Sequence, residues 1–123
     1  MSKNPLNLAL RFLLELAAIF AFGVWGYSLA EGGTRFFLAI LFPVLFAVLW
    51  GVFAVRNDPS RSGKTVVQTS GPVRLILELG LFAAGIWMLF DLDHSLPAWI
   101  FIGLVLAHYI SSWDRIAWLL KQK

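Results

Sequence analysis

A chain of 123 residues that is 59% hydrophobic and 14% charged, with a mean hydropathy of +0.78, is too apolar for a small soluble domain, in which about a quarter of the residues are charged. The formal net charge of +3 needs no nucleic acid to account for it, because the basic residues collect at the termini and in one loop. Having no cysteine, the chain excludes disulfides, thiolate metal sites and thiol chemistry.

In chain order, apolar runs at residues 6–29, 36–55, 73–90 and 96–113 are each long enough to cross a hydrocarbon layer of about 30 Å, which takes roughly 17–25 helical residues. The expectation is an all-α integral membrane four-helix bundle, a single domain over residues 1–123, with a polar loop at 56–71. The connections leave no room for a soluble catalytic domain, so no enzyme activity and no cofactor are expected.

The first run starts after Asn4-Pro5 and carries Arg11 and Glu15 one helical turn apart. Ser28-Leu29-Ala30 resembles a signal-peptide cleavage site, but the run is long for a signal sequence and contains a glutamate, so it is read as a retained span. Thr34 can cap the second helix, and Pro43 inside it predicts a kink over residues 38–43. The loop includes Gly63-Lys64-Thr65, which ends like a phosphate-binding loop; Asp58 stands where the first glycine is required, which rejects nucleotide binding. The same loop is moderately basic and suits anionic headgroups.

The third run opens at Gly71-Pro72 and repeats the first pattern with Arg74 and Glu78. Asp91, Asp93 and His94 follow it and read as a solvated loop, not a metal site. The fourth starts near Pro97 and carries His108.

Lys3, Arg11, Arg56, Arg61, Lys64, Arg74, Arg115, Lys121 and Lys123 lie on one side of this arrangement and Arg35 alone on the other, so both termini and the second loop are expected in the cytoplasm of a bacterial inner membrane. Trp25, Trp87 and Trp99 then fall at outer helix ends, and Trp50 and Trp113 at inner ends, as interface anchors.

An offset of sixty-three residues pairs Arg11 with Arg74, Glu15 with Glu78, Ala17 with Gly80, Ala21 with Ala84 and Trp50 with Trp113. This predicts two tandem hairpins related by a pseudo-twofold along the membrane normal. Ala17-x-x-x-Ala21 and Gly80-x-x-x-Ala84 allow close helix approach and are compatible with a homodimer.

Charged groups at the centre of a span cost roughly 2.5–3.5 kcal/mol each on insertion scales, so two glutamates need compensation. Arg11, Glu15, Arg74, Glu78 and His108 all fall in the inner half of the bilayer, the glutamates roughly 9–15 Å from the helix starts at 1.5 Å per residue. One reading is a structural charge cluster paired along or across the helices. The other is a proton-coupled transporter or channel for a small cationic or polar substrate, which the adjacent arginines disfavour because they hold a carboxylate ionised.

The residues from Leu10 to Leu16, Trp25-Gly26, Trp50-Gly51-Val52-Phe53 with Pro59 after it, and Glu78-Leu79 followed by Phe82 resemble the YrdB-like small bacterial membrane proteins, whose function is uncharacterised. The resemblance spans nearly the whole chain. It departs after Phe53, where the family tends to carry Pro-Lys-Ala and this chain has Arg56-Asn57-Asp58-Pro59-Ser60. Small multidrug transporters are similar only in helix number and in a first-helix glutamate such as Glu15.

Overall fold

Proline and glycine set most of the helix limits. In the computed structural model, which describes residues 5–55 and 67–122, α1 spans Pro5–Ser28 and α3 spans Gly71–Asp91. Each has a proline in its first turn, where a missing N–H breaks no intrahelical bond. α2 spans Gly33–Val52; its N-cap is Gly32 at φ 65°, so Thr34 lies inside the first turn and does not cap it as expected. Pro43 sits within α2 and leaves the Ala39 carbonyl without its helical donor.

After α2 a two-residue strand, β1 (Phe53–Ala54), pairs in parallel with β2 (Val67–Gln68), which no alternation in the sequence announced. The expected loop at 56–71 lies outside the described residues from 56 to 66, including Arg56, Arg61 and the Gly63-Lys64-Thr65 stretch.

The expected fourth span at 96–113 divides. α4 spans Ser95–Ser111 and α5 spans Trp113–Lys121, and the two are bent by 68°. The Ser112 N–H bonds the carbonyls of His108 at 2.9 Å and Tyr109 at 3.2 Å, closing α4, while its own carbonyl accepts the Ile116 N–H at 3.0 Å and opens α5. Among the described residues there are thus five helices where four were expected. Three are long and apolar enough to cross a membrane, or four if α4 and α5 are one broken span.

Polarity is distributed inside out. Phe20, Phe36, Ile40, Ile76, Leu96 and Ile110 are exposed, whereas Arg11, Arg74, Glu78, His108 and Arg115 are buried. Soluble monomers rarely present apolar surface on this scale, so the fold suits a membrane protein. Inside, Leu14, Ala18 and Phe22 of α1 meet Phe46 of α2, Phe82 of α3 and Phe101 of α4.

α1 packs along α2 most closely at Gly26, where an added β-carbon would stand 2.5 Å from the Leu38 carbonyl oxygen and 2.7 Å from the Phe42 ring. Gly26→Ala is therefore expected to destabilise the protein by about 1–3 kcal/mol in a denaturant titration in micelles, because one of the two obstacles is backbone. Between α1 and α3 the close contact joins Ala18 and Gly85, whose β-carbon would lie 3.8 Å from Ala18. Ala17 and Gly80 face outward instead. Small residues occupy several faces of these helices, and spacing alone did not select the face that packs.

Candidate functional site

Four helices deliver donors to one carboxylate. Glu78, two turns into α3, is 0% exposed. Arg74, one turn before it, donates from Nε to Oε2 at 2.6 Å. Arg11 of α1 donates from Nη2 to Oε2 at 3.0 Å and from Nη1 to Oε1 at 3.3 Å. Arg115 of α5 makes the same two-pronged contact, Nη1 to Oε1 at 2.9 Å and Nη2 to Oε2 at 2.7 Å. The Tyr109 hydroxyl of α4 donates to Oε1 at 2.7 Å. Each carboxylate oxygen thus accepts three hydrogen bonds, and the forked guanidinium contacts fix orientation as well as charge.

Arg74 also connects the carboxylate to α2. Its Nη1 donates to the carbonyls of Trp50 at 2.6 Å and Phe53 at 2.5 Å, so a cation sits at the negative end of that helix and pairs carbonyls its last turn leaves open. Through this one side chain Glu78 is linked to all five helices.

A buried charge is tolerated only when paired and hydrogen-bonded, and Glu78 meets both conditions. The Trp50 ring adds a cation–π contact to two of the guanidiniums, lying 4.8 Å from Cζ of Arg11 and 4.7 Å from Cζ of Arg74. Trp50, expected as an interface anchor, packs inward. It stacks on Phe46 with ring centroids 5.5 Å apart and meets Phe82 edge-on.

Glu15 is not equivalent to Glu78. Its Oε1 lies 3.6 Å from Arg11 Nε, its side chain is 22% exposed, and Trp50 donates a hydrogen bond to it. Of the pairings expected from the sequence, Glu78 takes the along-helix contact to Arg74 and the crosswise contact to Arg11, and Glu15 keeps only its along-helix partner among the described ion pairs. Glu15→Gln should accordingly change stability by about 1 kcal/mol or less in the same titration, as partly exposed ion pairs do.

His108 joins the cluster by hydrogen bonding. Its Nδ1 lies 2.9 Å from Asn7 Oδ1 and its Nε2 lies 3.5 Å from Arg11 Nη1, and Asn7 Nδ2 donates to Ser112 Oγ at 2.5 Å. Because Oδ1 accepts and Nη1 donates, the arrangement selects the tautomer protonated at Nδ1. Among the described residues no three His, Asp or Glu side chains are grouped to hold a metal.

The sequence-derived residues Arg11, Glu15, Arg74, Glu78 and His108 are all brought together. Arg115, Tyr109, Asn7 and Ser112 were missed. Asn7, Arg11 and Glu15 follow one another at four-residue spacing, and His108, Ser112 and Arg115 at four and three, so polar stripes at helical period would have pointed to most of them.

At the opposite end Trp25 donates to Asp91 Oδ2 at 2.8 Å and meets Trp87 edge-on at 5.5 Å. Trp87, Trp99 and Trp113 are exposed.

The family described as Protein of unknown function (DUF2568) matches residues 9–106. The uncharacterized protein YrdB of Bacillus subtilis (strain 168) is 40% identical to the chain over 119 residues, 97% of each sequence. No solved structure matches significantly. The resemblance to YrdB-like proteins is borne out.

Proposed function

The chain belongs to the DUF2568 family of proteins of unknown function, and we propose that it is a small polytopic protein of the bacterial inner membrane whose buried charge cluster is structural. In this reading α1, α2, α3 and the broken α4–α5 pair form a four-helix bundle, both termini and the 56–71 loop are cytoplasmic, and α5 closes the cytoplasmic end. No residue is assigned a catalytic role.

The enclosure of Glu78 carries this reading. A coupling carboxylate has to exchange its proton with water or its partner with substrate during each cycle, and Glu78 has no exposed surface and six donors on its two oxygens. The rival, proton-coupled transport or conduction using Glu15, Glu78 and His108, retains only Glu15 as a partly exposed carboxylate. The pseudo-twofold has less support, since the two glutamates differ in burial and α4 breaks at Ser112 while α2 continues through Pro43.

Proteoliposomes under an imposed pH gradient, with and without added organic cations, test the choice. A structural cluster predicts that proton entry in the wild type and in Glu15→Gln equals that of protein-free vesicles. Flux in the wild type that Glu15→Gln abolishes, with helical content unchanged, would establish transport instead.

A further inference from the structure

We propose that the groove between α1 and α2 at the Arg35 end seats one acyl chain of an anionic phospholipid, with the Arg35 guanidinium binding the lipid's phosphate. The inference rests on the membrane-spanning reading, and failure of that reading would show separately, as extraction of the chain from membranes by carbonate.

The groove has a volume of about 480 Å³ and is lined by Ile19, Phe20, Gly23, Val24 and Tyr27 of α1 and by Ala39 and Pro43 of α2. Gly23 shapes its floor, since a β-carbon there would stand 3.3 Å from both the Ala39 carbonyl oxygen and the Pro43 ring. Arg35, Ala39 and Pro43 recur every fourth residue and so share one face of α2. From Arg35 to Pro43 this face extends about 12 Å at 1.5 Å per residue, close to half of a hydrocarbon core of about 30 Å. That is the depth of one leaflet, which suits a single acyl chain entering from the Arg35 side.

Charge is supplied at the same end. The Arg35 guanidinium lies 3.9 Å above the Tyr27 ring, and Tyr27 lines the groove. Among the described residues, Arg35 Nε is the one buried side-chain nitrogen or oxygen without a hydrogen-bond partner. The acidic residues at this end, Glu31, Asp91 and Asp93, form no described ion pair with it. Arg35 as a whole is half-buried, so a phosphodiester oxygen reaching its guanidinium accepts a charge-assisted hydrogen bond and neutralises the cation.

The test uses the purified full-length chain in detergent, titrated with phosphatidylglycerol or phosphatidylcholine and read by native mass spectrometry. The wild type should retain phosphatidylglycerol preferentially, and Arg35→Gln should reduce that preference by about tenfold, the value of one charge-assisted hydrogen bond. Val24→Phe, which fills the groove from α1, should lower retention of both lipids. A wild type without preference, an Arg35→Gln variant with the wild-type preference, or a Val24→Phe variant that binds normally would each overturn the proposal. Should a variant fail to fold, wild-type protein cross-linked to phosphatidylglycerol carrying a diazirine in its acyl chain decides the matter. Adducts at Ile19, Val24 or Pro43 support the proposal, and adducts confined to other faces overturn it.

Discussion

Glu78→Gln is expected to lower stability by about 3–5 kcal/mol in an unfolding titration in micelles, because removing one partner of a buried ion network leaves the other charges uncompensated. The substitution preserves shape, so packing loss is not the cause. Glutamine offers one acceptor oxygen where Glu78 used two, and its amide N–H groups would confront donors from Arg11, Arg115 or Arg74. Arg11, Arg74 and Arg115 would together lose the carboxylate they share, and Glu15 lies at the edge of the cluster. The contrast between the two glutamates is the informative quantity. The sequence makes them look like copies, whereas their surroundings predict a several-fold difference in effect.

A single methyl group at Gly71 should have the second large effect, by detaching α5. A β-carbon there would fall 1.5 Å from the Leu119 carbonyl oxygen and 2.4 Å from its carbonyl carbon. These are backbone atoms in a helix and cannot yield by changing rotamer. α5 has to move away as a unit, breaking the hydrogen bond from the Gly71 N–H to the Gln122 carbonyl at 2.8 Å and withdrawing Arg115 from Glu78. Because the chain has no native cysteine, Leu119→Cys gives a unique reporter at a fully buried position. In an otherwise wild-type background it should resist a membrane-impermeant maleimide, and adding Gly71→Ala should make it reactive. Equal labelling in both would show that α5 is not held where the geometry puts it.

The sequence was most informative where membrane physics constrains it most. Apolar length alone located α1, α2 and α3 to within a few residues, and the cost of charge in lipid pointed to Arg11, Glu15, Arg74 and Glu78. It was least informative where one feature carries two meanings. By sequence Arg115 belongs with the basic residues that set orientation, yet its side chain is 1% exposed and turns inward, because the break at Ser112 redirects the chain. The sequence marks Trp50 as an interfacial ring but gives no sign that it also lies against two guanidiniums. The repeated Arg-x-x-x-Glu pattern suggested symmetry, but a local spacing does not contain the third arginine or the tyrosine that make Glu78 different. Those come from α4 and α5, whose placement depends on a bend that no proline or glycine marks.

The most direct measurement is a double-mutant cycle between Glu78→Gln and Arg115→Met, read as unfolding free energy in micelles. If one buried carboxylate ties α5 to the other helices, the two changes are strongly non-additive, with a coupling of at least about 1 kcal/mol and a double variant little worse than Glu78→Gln alone. Additivity within about 0.3–0.5 kcal/mol, the behaviour of residues that share no partner, would contradict it.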